Sequence, residues 1–173
     1  MGYLVNYKSD IMRYGGKASL YVKLLMFCFR RAKVTSCFSK VWRFFYRILA
    51  KRNHLEISPS VEIGPGLYIG HPYCITINPK AILGANINIH KGVTIGQENR
   101  GPRKGAPVIG NMVWVGVNAT VVGNITIGDD VLIAPNTYVN CDVPSHSIVF
   151  GNPCIIKCRD NATQGYINNR IEN

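Results

Sequence analysis

Acidic residues are scarce in this chain: 9 Asp and Glu stand against 20 Lys and Arg in 173 residues. The shortage is local. Residues 1–54 hold twelve basic residues and one acidic one, Asp10, whereas the remainder holds eight of each and is neutral. The basicity therefore belongs to an N-terminal region and implies nothing about the rest. Long apolar runs are missing as well. Leu20–Phe29 is interrupted by Lys23 and followed by Arg30 and Arg31, so it is too short to span a membrane, and no small-residue cleavage site follows it. The six cysteines (Cys28, Cys37, Cys74, Cys141, Cys154 and Cys158) lack the spacing of metal ligands, so no metal site is expected. Free thiols in a reducing cytoplasm are the plain expectation. No nucleic-acid recognition motif accompanies the basic charge, which argues against a nucleic-acid partner.

What the chain does have is a repeat. An aliphatic residue recurs every sixth position through Ile57, Ile63 and Ile69, then Ile77, Leu83, Ile89 and Ile95, then Ile109, Val115, Val121, Ile127, Ile133 and Val139. Four places after the aliphatic residue, the loop aside, sits a second, mostly apolar one: Val61, Leu67, Tyr73, Ala81, Ile87, Val93, Val113, Ala119, Ile125, Val131, Thr137 and Val143. A six-residue period fits neither a 3.6-residue helix nor a two-sided strand. It fits a parallel β-solenoid in which each hexad is one flat side and three hexads close a triangular coil. The period breaks twice. Two residues are inserted near Tyr73–Ile75, and eight leave the coil within residues 97–108, QENRGPRKGAPV. Stacked coils tolerate such excursions at corners, where functional residues often lie.

Ahead of the repeat, Gly15-Gly16 breaks the chain and Ser19 is a candidate helix cap. Leu20–Ala32 and Phe38–Lys51 read as helices. The second carries Val41, Trp42, Phe45, Ile48 and Leu49 on one face and Lys40, Arg43, Arg47 and Lys51 on another. Two readings stay open for residues 1–54. The helices cover the open first coil, or residues 20–52 lie on an anionic membrane surface. Beyond the repeat, Ile155–Arg159 is expected to finish the last coil, and residues 160–173, polar and Asn-rich, to fray.

The run LEISPSVEIGPGLYIGHPYC, then INIHKGVTIG, the loop, VWVGVNATVVGNITIGDDVLIAPNTYV and DVPSHSIVFGNPC together resemble the hexapeptide-repeat acyltransferases. Among these the chain looks most like the serine acetyltransferase branch, including its relatives in bacterial polysaccharide gene clusters. The resemblance covers residues 55–156. It implies a left-handed parallel β-helix, mainly β, preceded by the helical region 1–54 and followed by a polar tail, 157–173. It also implies a homotrimer that binds acetyl-CoA between neighbouring subunits.

Residue by residue, the resemblance places the catalytic base at His71, the choice that proton abstraction near neutral pH favours. Glu56 aligns with an aspartate that orients the base, one methylene longer here. Counting coils stacks His90 above Gly70 and beside His71, where it either hydrogen-bonds substrate or packs. Gly96, Gly116, Val117, Ala134, Pro135, Gly151 and Pro153 match the acetyl-CoA groove, and Lys157 follows it towards the nucleotide phosphates. The departures fall on the acceptor side. The Arg-His pair that grips serine reads Gly105-Ala106, and a second aspartate reads Gly70, which leaves Arg100, Arg103 and Lys104 as the loop's cations. The resulting expectation is an O-acetyltransferase acting on a sugar hydroxyl in surface polysaccharide synthesis, cytoplasmic and peripheral at the inner membrane face. The alternatives are a serine O-acetyltransferase of cysteine biosynthesis and a non-catalytic trimeric scaffold at the membrane.

Overall fold

The structure, a computed structural model, describes residues 2–34 and 38–172. The hexads form coils of three short parallel strands. The first coil is β1 (Leu55–Ile57), β2 (Glu62–Ile63) and β3 (Tyr68–Gly70), and the second is β4 (Ile75–Ile77), β5 (Ile82–Leu83) and β6 (Asn88–His90). The third is β7 (Thr94–Gly96), β8 (Val108–Ile109) and β9 (Val113–Val115), and the fourth is β10 (Thr120–Val122), β11 (Thr126–Ile127) and β12 (Val131–Ile133). A fifth coil contains β13 (Tyr138–Val139) and β14 (Ser147–Phe150). Stacking builds three faces: β1-β4-β7-β10-β13, then β2-β5-β8-β11, then β3-β6-β9-β12-β14. The fold is thus a parallel β-solenoid of about five turns.

Both apolar positions of the hexad point inward. Val61, Ile87, Ile89, Val93, Ile95, Val113, Val115, Val121 and Ile133 have no exposed surface, and each such side chain contributes about 1.5–3 kcal/mol on burial. Tyr73 breaks the expectation. The two-residue insertion moves it out of register, so it is exposed and Ile75 fills the inner position. Cys74, next to it, is also exposed. Corners turn through left-handed residues stacked in columns. Asn86, Met112, Asp130 and His146 precede the third face, and His54, Cys74, Asn118 and Asn136 precede the first. Asn and Asp tolerate this conformation better than most residues.

The first coil has no coil beneath it, and an open strand edge must be covered. Three helices do so: α1 (Gly2–Met12), which the sequence reading missed, α2 (Leu20–Ala32), capped by Ser19, and α3 (Ser39–Arg52). Their side chains take the hydrogen bonds a preceding coil would make. On the first face Tyr46 Oη donates to Ile57 O at 2.6 Å. On the second, Arg30 Nη1 donates to Ile63 O and Nη2 to Gly64 O, both at 2.7 Å. On the third, Asp10 accepts from Leu67 N–H at 2.9 Å, and Tyr14 Oη accepts from Ile69 N–H at 2.9 Å. Arg30 and Asp10 are themselves a buried pair at 2.8 Å. Leu25, Met26 and Phe29 of α2 close over the end of the core. All three helices thus contribute to the cover of the first coil, α3 through Tyr46.

The far end differs from expectation twice. Residues 155–159 do not finish a coil: β15 (Ile155–Cys158) turns back antiparallel on β14. The Asn-rich segment does not fray either, because Ala162, Thr163 and Ile167 are buried against the third face. Asp130 anchors it, accepting from Ala162 N–H at 3.0 Å, Thr163 N–H at 3.0 Å and Thr163 Oγ1 at 2.6 Å. Burial opposes the Asp130 charge, but these bonds and His146 hold its carboxyl below the ordinary carboxylate range. A depressed folded-state pKa means this anchor is fully present above the unfolded value of about 3.9 and is lost as pH falls through the folded one. Asp130→Ala is expected to speed hydrogen exchange at Ala162 and Thr163 at least about tenfold at neutral pH, since hydrogen bonds to charged groups contribute about 1.5–3 kcal/mol each. Unchanged protection at those amides would show that Asp130 is not the anchor.

Candidate active site

His71 lies in the two-residue insertion, at the corner between the third and first faces. Its φ of 55° is left-handed, a conformation of appreciable cost outside glycine, and strained residues cluster at functional sites. Its side chain is exposed and forms no hydrogen bond among the described residues. The coil count for His90 is met: Gly70 and His90 are register partners on β3 and β6. A Cβ added at Gly70 would lie 2.5 Å from His90 Nδ1, so the imidazole fills the space an aspartate would need there. Burial, and next the nearby His71, lower the His90 pKa. Both causes favour the neutral form of His90.

Glu56 stands on the outer side of the first face, opposite Thr76 in register, and accepts from Thr76 Oγ1 at 3.4 Å. No hydrogen bond joins it to His71 among the described residues. It lines an open cleft of about 1000 Å³ between α3 and the first face. Arg43, Arg47, Lys51 and His54 form the opposite wall, and Gly96 closes one end. His54 escaped the sequence reading because it precedes the first hexad. Its ring packs edge-on to Tyr73 at 5.6 Å, two residues past His71. The signal available was its place one coil below Cys74, whose N–H donates to Asn53 O at 2.9 Å.

The candidate cofactor residues divide between two edges of the first face. Gly116, Val117, Ala134, Pro135, Gly151 and Pro153 follow strands of the third face, on the edge that carries His71. All but Gly116 are at least partly exposed, and Lys157 Nζ lies 5.6 Å over the Phe150 ring. Gly116 has a structural duty of its own, since a Cβ there would meet Pro135 N at 2.7 Å. Gly96 and the loop stand on the opposite edge, where the first face meets the second. The loop folds as a small hairpin: Glu98 and Gly105 exchange backbone hydrogen bonds at 3.0 Å, and Asn124 N–H donates to Arg103 O at 2.8 Å. Arg103 is further held by Glu98 at 3.5 Å, leaving Arg100 and Lys104 exposed without an ion pair among the described residues. Three strand residues, about 10 Å, separate the two edges within one chain.

Residues 106–141 match the bacterial transferase hexapeptide (six repeats) family. The matched residues run from the end of the loop to just past β13, within the solenoid. Over 98 residues it is 39% identical to a serine acetyltransferase of Helicobacter pylori, covering 57% of each chain. Over 115 residues it is 39% identical to one from Staphylococcus xylosus, covering 66% of this chain and 50% of that one. The chain therefore spans about half the length of these curated relatives. In three dimensions it is similar to Neisseria gonorrhoeae serine acetyltransferase in complex with serine, with a TM-score of 0.72 at 24% identity, covering 91% of this chain and 69% of that one. It is also similar to Entamoeba histolytica serine acetyltransferase isoform 3 in complex with cysteine, with a TM-score of 0.71 at 26% identity, covering 87% and 58%.

Proposed function

We propose that the protein transfers an acetyl group from acetyl-CoA to a hydroxyl, as an acetyltransferase of serine acetyltransferase type. The observation that carries this reading is the placement of exposed His71 at the head of an open edge lined by Val117, Ala134, Pro135, Gly151 and Pro153. An extended pantetheine arm would lie along that edge, with Lys157 of β15 beyond the last coil. Acetyl-CoA supplies the activated thioester. His71 takes the proton of the acceptor hydroxyl as the ester C–O bond forms and the thioester C–S bond breaks, and the proton then passes to the leaving thiolate.

Within one chain the loop and His71 occupy opposite edges, so a complete site draws the loop from a second copy. This favours the homotrimer, which light scattering would test: a stable, fully active monomer would remove the shared site. The helix α3 leaves Val41, Phe44, Phe45 and Ile48 exposed beside Lys40, Arg43 and Arg47, the arrangement of a helix lying on an anionic bilayer. No described helix is long and apolar enough to cross a membrane. Flotation with anionic but not neutral vesicles is the expected result, and no flotation with either would discard the membrane contact.

L-Serine is the acceptor that the names of the relatives favour, ahead of the polysaccharide reading. One feature of this chain favours the sugar hydroxyl instead: the loop offers Gly105-Ala106 where the resemblance calls for a cationic clamp, and buried donors are what discriminate small polar acceptors. Thiol release from acetyl-CoA, measured with L-serine against a panel of sugars and glycan fragments, decides between them. Release with neither class of acceptor would sink the acetyltransferase reading itself.

A further inference from the structure

A second cavity, of about 310 Å³, opens on the outer side of the third face beside His90. One wall is an aromatic ladder. The His90 ring lies 4.7 Å from Trp114 and 6.3 Å from Tyr68, and Trp114 lies 5.2 Å from Tyr166. The C-terminal segment contributes Tyr166, so the cavity exists only because residues 160–171 fold back on the solenoid.

The polar floor of this cavity is already occupied. Arg13 is buried and donates to Gly66 O at 3.2 Å, to Asn88 Oδ1 and to Asn168 O. Asn88 Nδ2 donates to Tyr166 O at 3.1 Å. Polar groups around the cavity without a partner among the described residues include Lys17 Nζ, the hydroxyls of Tyr68 and Tyr166 and the Asn168 side-chain amide. His90 Nε2 is buried and also unpaired. No carboxylate lines the cavity. An ammonium group would therefore meet no counter-charge, only rings, the amides of Asn88, Asn168 and Asn169, and the cations of Arg13 and Lys17.

Broad aromatic faces, unsatisfied hydroxyl-type partners and the lack of an anion suit a neutral or anionic ring rich in hydroxyls, and do not suit a free amino acid. We propose that this cavity binds a sugar ring of the acceptor, stacked on Trp114 and hydrogen-bonded by Lys17 and the Tyr68 and Tyr166 hydroxyls. The position relative to the chemistry follows from the strand. Tyr68 precedes His71 by three residues, about 10 Å of extended chain, and His90 is the register partner of Gly70. The bound ring is thus a neighbour, on the same glycan, of the ring whose hydroxyl meets His71. This assignment rests on the acetyltransferase reading for its link to turnover, but binding itself does not.

The chain holds two tryptophans, so Trp42→Phe leaves Trp114 as the only indole emitter. In that background, titration with oligosaccharide fragments is expected to change Trp114 emission saturably, and L-serine is expected to leave it unchanged. Trp114→Phe and Lys17→Ala should each raise KM for an oligosaccharide acceptor several-fold while kcat stays within about twofold, and Trp114→Ala should raise KM about tenfold. Lys17 is exposed and unpaired, so its variant folds even if Trp114→Ala does not. A saturable response to sugars, with thiol release from neither sugars nor L-serine, would leave the cavity assigned and the acetyltransferase reading refuted. Thiol release with sugars, but no emission change and no effect of Lys17→Ala, would overturn the cavity assignment alone. A saturable response to L-serine in place of sugars would overturn the ligand class.

Discussion

His71→Ala is expected to lower kcat/KM for acetyl transfer by about 10²–10⁴-fold, the usual contribution of a positioned general base. At 1.36 kcal/mol per factor of ten, that is roughly 3–5.5 kcal/mol of transition-state stabilisation. Stability should barely change, because the imidazole is exposed and holds no hydrogen bond in the fold. Acetyl-CoA affinity should also survive, since Val117, Ala134, Pro135 and Gly151 line the edge independently of that side chain. The comparison with His90→Ala carries the mechanism further. His90 fills the space over Gly70, so its removal acts on positioning and should cost less than loss of His71. Single-turnover measurement of thiol release separates the two. If His71→Ala retained near-normal kcat, the base would have to be sought in the cleft, where His54 and Glu56 are the remaining candidates.

Asp10→Ala is expected to be the most damaging single change to stability. Asp10 is fully buried, binds Arg30 through both carboxylate oxygens at 2.8 and 2.9 Å, and accepts from Leu67 N–H at 2.9 Å. Its removal leaves a buried guanidinium without a counter-charge and an open N–H on the strand edge. Breaking a buried pair in this way costs about 3–5 kcal/mol. For a domain of this size each kcal/mol moves Tm by about 2–4 °C, so a fall of roughly 6–20 °C should appear in a thermal melt. A double-mutant cycle sharpens the test. Asp10→Ala with Arg30→Met removes both charges, and should be less destabilised than Asp10→Ala alone. Equal melting of all variants would mean that the helices are not held to the first coil through this pair.

The same pair shows where sequence reading stops. Asp10 is the lone acidic residue among the first 54, which made the region look like a basic surface element. Its role is fixed by Arg30, twenty residues away on another helix, and by a strand edge over fifty residues away. Nothing local marks that meeting. Periodicity, by contrast, is local information. An aliphatic residue every six places with a partner four places on can bury both only by coiling in threes, so the faces, the stacking of His90 on Gly70 and the exit of the loop followed from counting. Insertions were legible as breaks in the count, but not the side on which the chain resumed, which is why Tyr73 was assigned to the core that Ile75 fills.

The site divides in the same way. His71 and the open edge were legible because motif and corner position coincide along the chain. The separation of Gly96 and the loop from that edge, the cationic wall that α3 sets opposite Glu56, and the aromatic cavity were not. Each depends on segments distant in sequence, brought together by burial that the repeat alone does not require. The polar tail illustrates the reason most plainly. Its composition by itself predicts disorder, since a short Asn-rich segment buries too little apolar surface to offset its own ordering. Asp130, turned outward at a left-handed corner of the solenoid, supplies three hydrogen bonds that the segment cannot make alone. Sequence periodicity determined the solenoid. Only the tertiary structure decided what its outer faces hold, because those contacts are made between side chains that no repeat places in register.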